Sequence, residues 1–286
     1  MCVLYIMGAF YLVALFLLWA GRRGKISRKL AALVSVLCLL AGSGALAAAV
    51  VPFGNSYGKT VTRLTDLSGS AKSPAPVSGA VGQTDVAASG RIIALTFDDG
   101  PYPPYTNRLL DVLKEKKVRA TFFLVAGQAQ RHPELVKRAV AEGHMVGLHA
   151  FRHRDFLKLT EEERQKDLAL GKKVLQDIIG KDPVYWRPPH GFRDGSVMKL
   201  AAQEHLTVVN WSITPRDWTG IDKQEICNRV LAKADDGAIV LLHDGDSPFY
   251  KESRQATVDG VSLLIDSLRE KGYHLVSLEE YVRNSR

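Results

Sequence analysis

Hydrophobic and polar positions divide the chain into three textures. Residues 2–20 are almost uninterruptedly apolar, and a second such run extends from Leu30 to Phe53. Neither run has the polar face of a helix that packs on a soluble core, and each is long enough to cross a bilayer, which takes about 20 residues. Residues 54–90 are rich in Gly, Ser, Ala, Thr and Pro with little apolar periodicity, a composition that predicts a flexible, extended tether. From residue 91 the pattern alternates between short apolar runs and segments of helical period. The runs at 91–97, 121–127, 144–149, 184–188, 206–212, 238–243 and 273–278 predict strands. Segments near 105–117, 133–142, 161–179, 195–204, 222–234 and 255–271 predict helices. Strands alternating with helices predict a parallel α/β domain over 91–286. Its 196 residues fall short of the ~250 typical of a full eightfold barrel, which leaves a doubly wound open sheet as the alternative.

Charge refines the reading of the first texture. The formal net charge of +8 is unevenly spread: residues 1–90 hold eight Lys/Arg against two acids, whereas 91–286 hold 30 against 28. Five of the cations, Arg22, Arg23, Lys25, Arg28 and Lys29, fill the connection between the apolar runs. Positive charge there places the connection in the cytoplasm and both outer ends outside. Residues 1–53 are therefore expected to be membrane segments. The same basic stretch, followed by Leu30–Leu40 and the small residues 41–49, also fits a cleaved signal peptide. Both readings export the polar domain, tethered at the cell membrane or secreted, and neither calls for nucleic acid as a partner. A monomer is expected. Of three cysteines only Cys227 lies in the polar part, so no disulfide or cysteine-rich metal site can form there. It reads as a small core residue of the 222–234 helix.

The candidate chemistry collects at the ends of predicted strands. The first strand ends on Asp98-Asp99, followed by Gly100-Pro101, which force a turn. Adjacent carboxylates raise the cost of ionising one another, and a bound cation removes that difficulty. The third strand ends at His149, and His153 follows four residues later. Asp99 with the two histidines makes one hard and two borderline ligands, a set that suits zinc and leaves positions open for water and substrate. Asp98 is then free to act as a base. Arg187 follows the fourth strand, held by Pro188 and Pro189, where it can orient Asp98. The sixth strand delivers His243, a candidate general acid, which Asp217 can hold in its cationic form. Trp218 and Leu241 could wall a small apolar pocket. Chemistry gathered at several strand ends is the hallmark of a barrel site and points to a metal-assisted hydrolase.

These segments resemble the polysaccharide deacetylase family, the NodB-homology domains among the carbohydrate esterases, over roughly 91–280. The family's Thr-Phe-Asp-Asp-Gly stands complete at 96–100, and its His-(Ser/Thr)-x-x-His is matched by His149 and His153 with Ala150 in the hydroxyl position. Arg-x-Pro-x-Gly appears as Arg187 to Gly191, with His190 where an aromatic is frequent. Asp-x-x-Asp-Trp lacks its first acid, replaced by Thr214, but keeps Asp217 and Trp218. Leu-x-His fits Leu241-Leu242-His243. The resemblance implies a distorted, incomplete (β/α) barrel preceded by the N-terminal hydrophobic helices. It also implies removal of an N-acetyl group from an amino sugar of a glycan. Asp98 is then the base, Asp99, His149 and His153 the metal ligands, and His243 the acid. Arg187 orients Asp98, and Asp217 supports His243. Tyr102 supplies a backbone N–H to the oxyanion, while Trp218, Leu241 and Pro189 line the substrate. The implied cofactor is a divalent metal, zinc first, with cobalt, manganese or nickel as substitutes. Peptidoglycan is the first substrate choice. A chitin-like oligosaccharide or exopolysaccharide, an O-acetyl ester, and a non-catalytic glycan-binding relic are the alternatives.

Overall fold

In the computed structural model the described residues are 3–23, 26–50, 57–67, 90–245 and 253–284. Two N-terminal helices, α1 (Val3–Arg22) and α2 (Arg28–Val50), form an antiparallel pair. Ser35 Oγ lies 3.0 Å from Ala14 O, and Tyr11 Oη lies 3.3 Å from Ser43 Oγ. Lys29–Ala49 is long and apolar enough to cross a membrane, whereas the apolar part of α1, Gly8–Ala20, is shorter. The sequence expectation of two membrane segments thus has one helix of sufficient length among the described residues.

The second texture departs from its composition. Residues 57–67 are not a free tether: Val61 pairs in parallel with Val209 and Arg63 antiparallel with Ala238. Leu64–Leu67 forms a 3₁₀ turn, and Val61, Leu64 and Leu67 are 1%, 0% and 3% exposed. The cause is an apolar residue at every third position, which a Gly/Ser/Thr-rich average conceals. The rest of the expected tether, 54–56 and 68–89, lies outside the described residues.

The third texture folds into the seven strands that its periodicity predicts, with helices at 126–131 and 278–284 added to the six expected. In chain order, the strands are β1 (Arg91–Asp98), β2 (Thr121–Val125), β3 (Met145–Ala150), β4 (Tyr185–Trp186), β5 (Thr207–Val208), β6 (Ala238–His243) and β7 (Tyr273–Leu275). The helices are α3 (Tyr105–Glu115), α4 (Ala126–Arg131), α5 (Pro133–Ala141), α6 (Glu161–Ile179), α7 (Gly195–Gln203), α8 (Lys223–Leu231), α9 (Gln255–Glu270) and α10 (Leu278–Asn284). All strand pairs are parallel, in the order β5-β4-β3-β2-β1-β6, with β7 beside the first half of β1. The sheet curls into an incomplete barrel. Its seam lies between β5 and β6, and residues 57–67 fill it by touching both sides. Cys227 is buried on α8, as expected of a core residue.

Successive side chains on a strand face opposite ways, and two apolar clusters separate accordingly. Ile93, Leu95, Phe97, Val240 and Leu242 pack outward against the helices. Ala94, Phe123, Tyr185, Trp211, Ile239 and Leu241 pack inside the curl, together with Val61, Leu64 and Leu67. Continuing the inner rows, through Thr96 on β1 and from Leu241 on β6, brings Asp98 and His243 to the barrel mouth.

A chain beginning at residue 91 is expected to melt well below one beginning at residue 57. Removing the contacts that bury Val61, Leu64 and Leu67 against the barrel costs about 4 kcal/mol or more, roughly 10 °C in a domain of this size. Thermal unfolding followed by circular dichroism checks this; equal melting temperatures would show that the segment adds nothing.

Candidate active site

Arg187 is fully buried in the barrel, with a side chain 0% exposed. Its Nη1 donates to Asp98 Oδ1 at 2.6 Å and to Thr96 Oγ1 at 2.8 Å. Nε donates to Val209 O at 3.0 Å and Nη2 to Asn210 O at 2.8 Å. Thr96 passes its own proton to Val240 O at 2.7 Å, so its oxygen lone pairs are left for the arginine. Beneath the guanidinium lies the Phe123 ring, 4.1 Å from its central carbon. Gly147 makes room for that ring, since a Cβ there would lie 2.7 Å from Phe123. Asp98 is thereby fixed on one oxygen, and its Oδ2 points at His149 Nε2, 3.8 Å away.

Asp99 follows with its backbone turned over, at φ +75°. Its Oδ1 lies 3.5 Å from His149 Nε2 and 3.3 Å from His153 Nε2. His149 Nδ1 meets Arg187 O at 2.6 Å. That carbonyl can only accept, so Nδ1 carries the proton and Nε2 presents a bare lone pair. Burial pushes the His153 imidazole down to about 4, against the opposing pull of Asp99. Burial would raise the Asp99 carboxyl, but its histidine neighbours hold it below the ordinary carboxylate range. Asp99 Oδ1 is buried without a hydrogen-bond partner among the described residues. With both imidazoles neutral, the Asp99 oxygen and the two histidine nitrogens converge with no proton between them, an arrangement that a cation resolves. One ligand atom from each of Asp99, His149 and His153 lies within 4.8 Å of the others, so the residues fit a divalent metal.

The loop that presents His153 is held from α6. Asp167 Oδ1 accepts from the N–H groups of Phe151 and Arg152 at 2.9 and 3.3 Å. The helix comes this close at Gly171, where a Cβ would lie 2.9 Å from Phe151 N. Asp167 therefore anchors the loop in which Ala150 replaces a hydroxyl residue, a support no local pattern announces. His190 stands edge-on to His153, with centroids 4.7 Å apart.

His243 ends β6 directly beside Asp98, its register partner on β1. Its Nδ1 lies 2.9 Å from Asp217 Oδ1, and its backbone N–H donates to Asp217 Oδ2 at 2.8 Å. Thr257 of α9 donates to the same Oδ2 at 2.9 Å. Burial alone would lower the His243 pKa. The Asp217 charge and hydrogen bond, with Asp99 and Asp98 behind them, raise it to about 9 instead. A cation at Asp99 would offset the last two and leave Asp217 as the group that keeps His243 protonated. Trp218 meets the His243 ring edge-on at 4.9 Å, Leu241 lies inside the curl two residues before it, and Pro189 is buried in the turn after Arg187.

Tyr102 is expected to offer its backbone N–H to the oxyanion. Its N–H donates to Thr106 Oγ1 at 2.7 Å and its ring stacks on Tyr105, so the N–H is spent within its own turn. Thr106 in turn donates to Asp244 Oδ2 at 2.6 Å. Burial raises the Asp244 carboxyl to about 7.

Known proteins with similar sequences and structures share this arrangement's framework. The profile of the polysaccharide deacetylase family matches residues 85–209. Peptidoglycan-N-acetylglucosamine deacetylase of Bacillus cereus is 37% identical over 201 residues, 70% of this chain and 92% of that protein. Chitooligosaccharide deacetylase of Bradyrhizobium sp. is 36% identical, over 66% of this chain and 90% of that one. The solved structure of peptidoglycan deacetylase PdaC from Bacillus subtilis superimposes with a TM-score of 0.62 at 34% identity, covering 70% of this chain and 93% of that one.

Isothermal titration of the metal-stripped chain with zinc is expected to saturate at one ion per chain. His149→Ala removes a ligand and should weaken binding by more than about a hundredfold, the upper range for loss of a mere supporting partner. Unchanged affinity in that variant would exclude His149 as a ligand.

Proposed function

The chain belongs to the polysaccharide deacetylase family and is a polysaccharide N-deacetylase; from that premise we propose that it hydrolyses the N-acetyl groups of peptidoglycan amino sugars at the mouth of the barrel, releasing acetate. The observation that carries this reading is the pair of supported catalytic groups flanking the Asp99–His149–His153 cluster. Asp98 is held by Arg187 on one side, and His243 by Asp217 on the other. A glycan-binding relic of the fold would have no need of either pair. When bound, a divalent metal such as zinc supplies Lewis acidity that polarises the acetyl carbonyl and lowers the pKa of water.

The chain's own residues do the rest. Asp98 Oδ2 lies 3.8 Å from the His149 imidazole and takes the proton of the water that attacks the carbonyl carbon. Because Arg187 fixes the other oxygen, this carboxylate does not swing to join the ligands. An amide nitrogen leaves poorly until it is protonated, and His243 delivers that proton from Nε2 while Asp217 retains Nδ1. The C–N bond breaks to give acetate and a free amine. Trp218 and Leu241 bound an apolar space beside His243 that suits an acetyl methyl. An apolar N-terminal helix, as anchor or export signal, fits a substrate outside the cytoplasm.

The direct test is acetate release by the full chain in detergent, metal-free and then zinc-restored. Peptidoglycan, chitooligosaccharides and an O-acetylated glycan serve as parallel substrates. Zinc-dependent release that is fastest from peptidoglycan is expected; faster release from either alternative would reassign the substrate. Asp98→Asn should retain zinc yet lose turnover by roughly 10²–10⁴-fold, the range for general-base catalysis. The His243 acid must be protonated, so activity should fall as pH rises through the His243 pKa, which lies below about 9 once a cation offsets the pull of Asp99 and Asp98. Asp217→Asn removes the main raising influence and should move that alkaline limb to lower pH; an unmoved limb in pH–rate profiles would remove His243 from the acid role.

A further inference from the structure

Asp244 lies one residue beyond the catalytic acid, is 1% exposed, and has no part in the mechanism above. Its carboxyl enters the space left by a missing side chain: a Cβ on Gly100 would lie 2.3 Å from Asp244 Oδ2. There Oδ2 accepts from Thr106 Oγ1 at 2.6 Å, and Thr106 Oγ1 accepts from Tyr102 N–H at 2.7 Å. The three groups form a one-way series, N–H to hydroxyl to carboxyl, across a sequence separation of 138 residues between Thr106 and Asp244. The same end of β6 reaches Asp98 O through the N–H groups of Asp244 and Gly245, at 3.2 and 3.4 Å. Gly245 packs so closely on Asp99 that a Cβ would lie 2.3 Å from its carbonyl carbon. Between these two fastenings sits Asp99, at φ +75°, a backbone region costly for a residue with a side chain. Such a conformation persists only where its surroundings hold it.

We propose that Asp244 is a positioning residue for the metal centre: through Thr106 and Tyr102 it holds the Asp99–Gly100–Pro101–Tyr102 turn so that the Asp99 carboxylate faces His149 and His153. The proposal rests on the reading of those three residues as metal ligands. It gives Tyr102 a different role from donation to the substrate, since its N–H is the first link of the series. It also accounts for the unbranched Gly100, which admits the Asp244 carboxyl, as a requirement of the metal site.

The test uses the full chain in detergent, metal-stripped, as wild type, Asp244→Ala, Thr106→Val, the double variant and Asp244→Asn. Zinc affinity is read by competition with a chromogenic chelator, alongside kcat and KM for acetate release. Asp244→Ala and the near-isosteric Thr106→Val should each weaken zinc about tenfold or more, and the double variant should be no worse than the weaker single, because both break one series. Asp244→Asn keeps an acceptor for the Thr106 hydroxyl and should restore affinity to within about threefold of wild type, with kcat rather than KM carrying the loss in the other variants. A lowered melting temperature with wild-type zinc affinity would overturn the proposal, as would independent, multiplying losses in the double variant. A wild-type chain that binds no zinc would overturn the metal centre and this role together.

Discussion

A guanidinium with no access to water must spend its N–H groups on protein acceptors, and that requirement organises this barrel. Arg187 donates four hydrogen bonds, to Thr96, Asp98, Val209 and Asn210, and so draws β1 together with the stretch that follows β5 around its own position after β4. Breaking such a buried pair by removing one partner typically costs 3–5 kcal/mol, because the other charge is stranded. The same geometry serves the chemistry. A carboxylate tied on one oxygen keeps its orientation while its neighbour, Asp99, meets His149 and His153. Adjacent acids thereby acquire separate tasks without any difference in their covalent structure.

The seam of the incomplete barrel reinforces this centre from outside. Asn210 receives the backbone carbonyl of Val61 on its N–H at 2.7 Å and offers its own carbonyl to Arg187. Residues 57–67 therefore support the arginine through one intermediate residue, besides covering apolar surface between β5 and β6. Helices α6 and α9 contribute Asp167 and Thr257, each buried and each spent on orienting a loop or an acid. The site is thus assembled from groups that arrive from nearly every layer of the fold.

How much of this was legible in the sequence follows from what a sequence pattern encodes. Period-two apolar runs fix which face a side chain takes and where a strand stops, so Asp98, His149, Arg187 and His243 could be placed at one mouth. Their pairing into base, ligand, orienting and acid groups followed from residue chemistry. The pattern does not encode which distant element completes a hydrogen bond. Asp167, Thr257 and the link between Thr106 and Asp244 were invisible for that reason. Thr96 was half visible, since it lies two residues before Asp98 and must share its face. Local bounds were less legible: the expected strands 184–188, 206–212 and 273–278 shorten to Tyr185–Trp186, Thr207–Val208 and Tyr273–Leu275. The run 121–127 ends as a strand at Val125 because α4 begins at Ala126, an apolar residue that extends the run without extending the strand. The segment 57–67 hid three buried apolar residues within a tether-like average.

The central claim is a division of labour between neighbouring carboxylates, and anomalous X-ray diffraction from zinc-loaded crystals of the chain tests it most directly. The account predicts one zinc at about 2.0–2.2 Å from an Asp99 oxygen and from the Nε2 atoms of His149 and His153, with Asp98 outside the coordination sphere and still bonded to Arg187. Zinc bound through Asp98 in place of Asp99, or held away from these three residues, would contradict it.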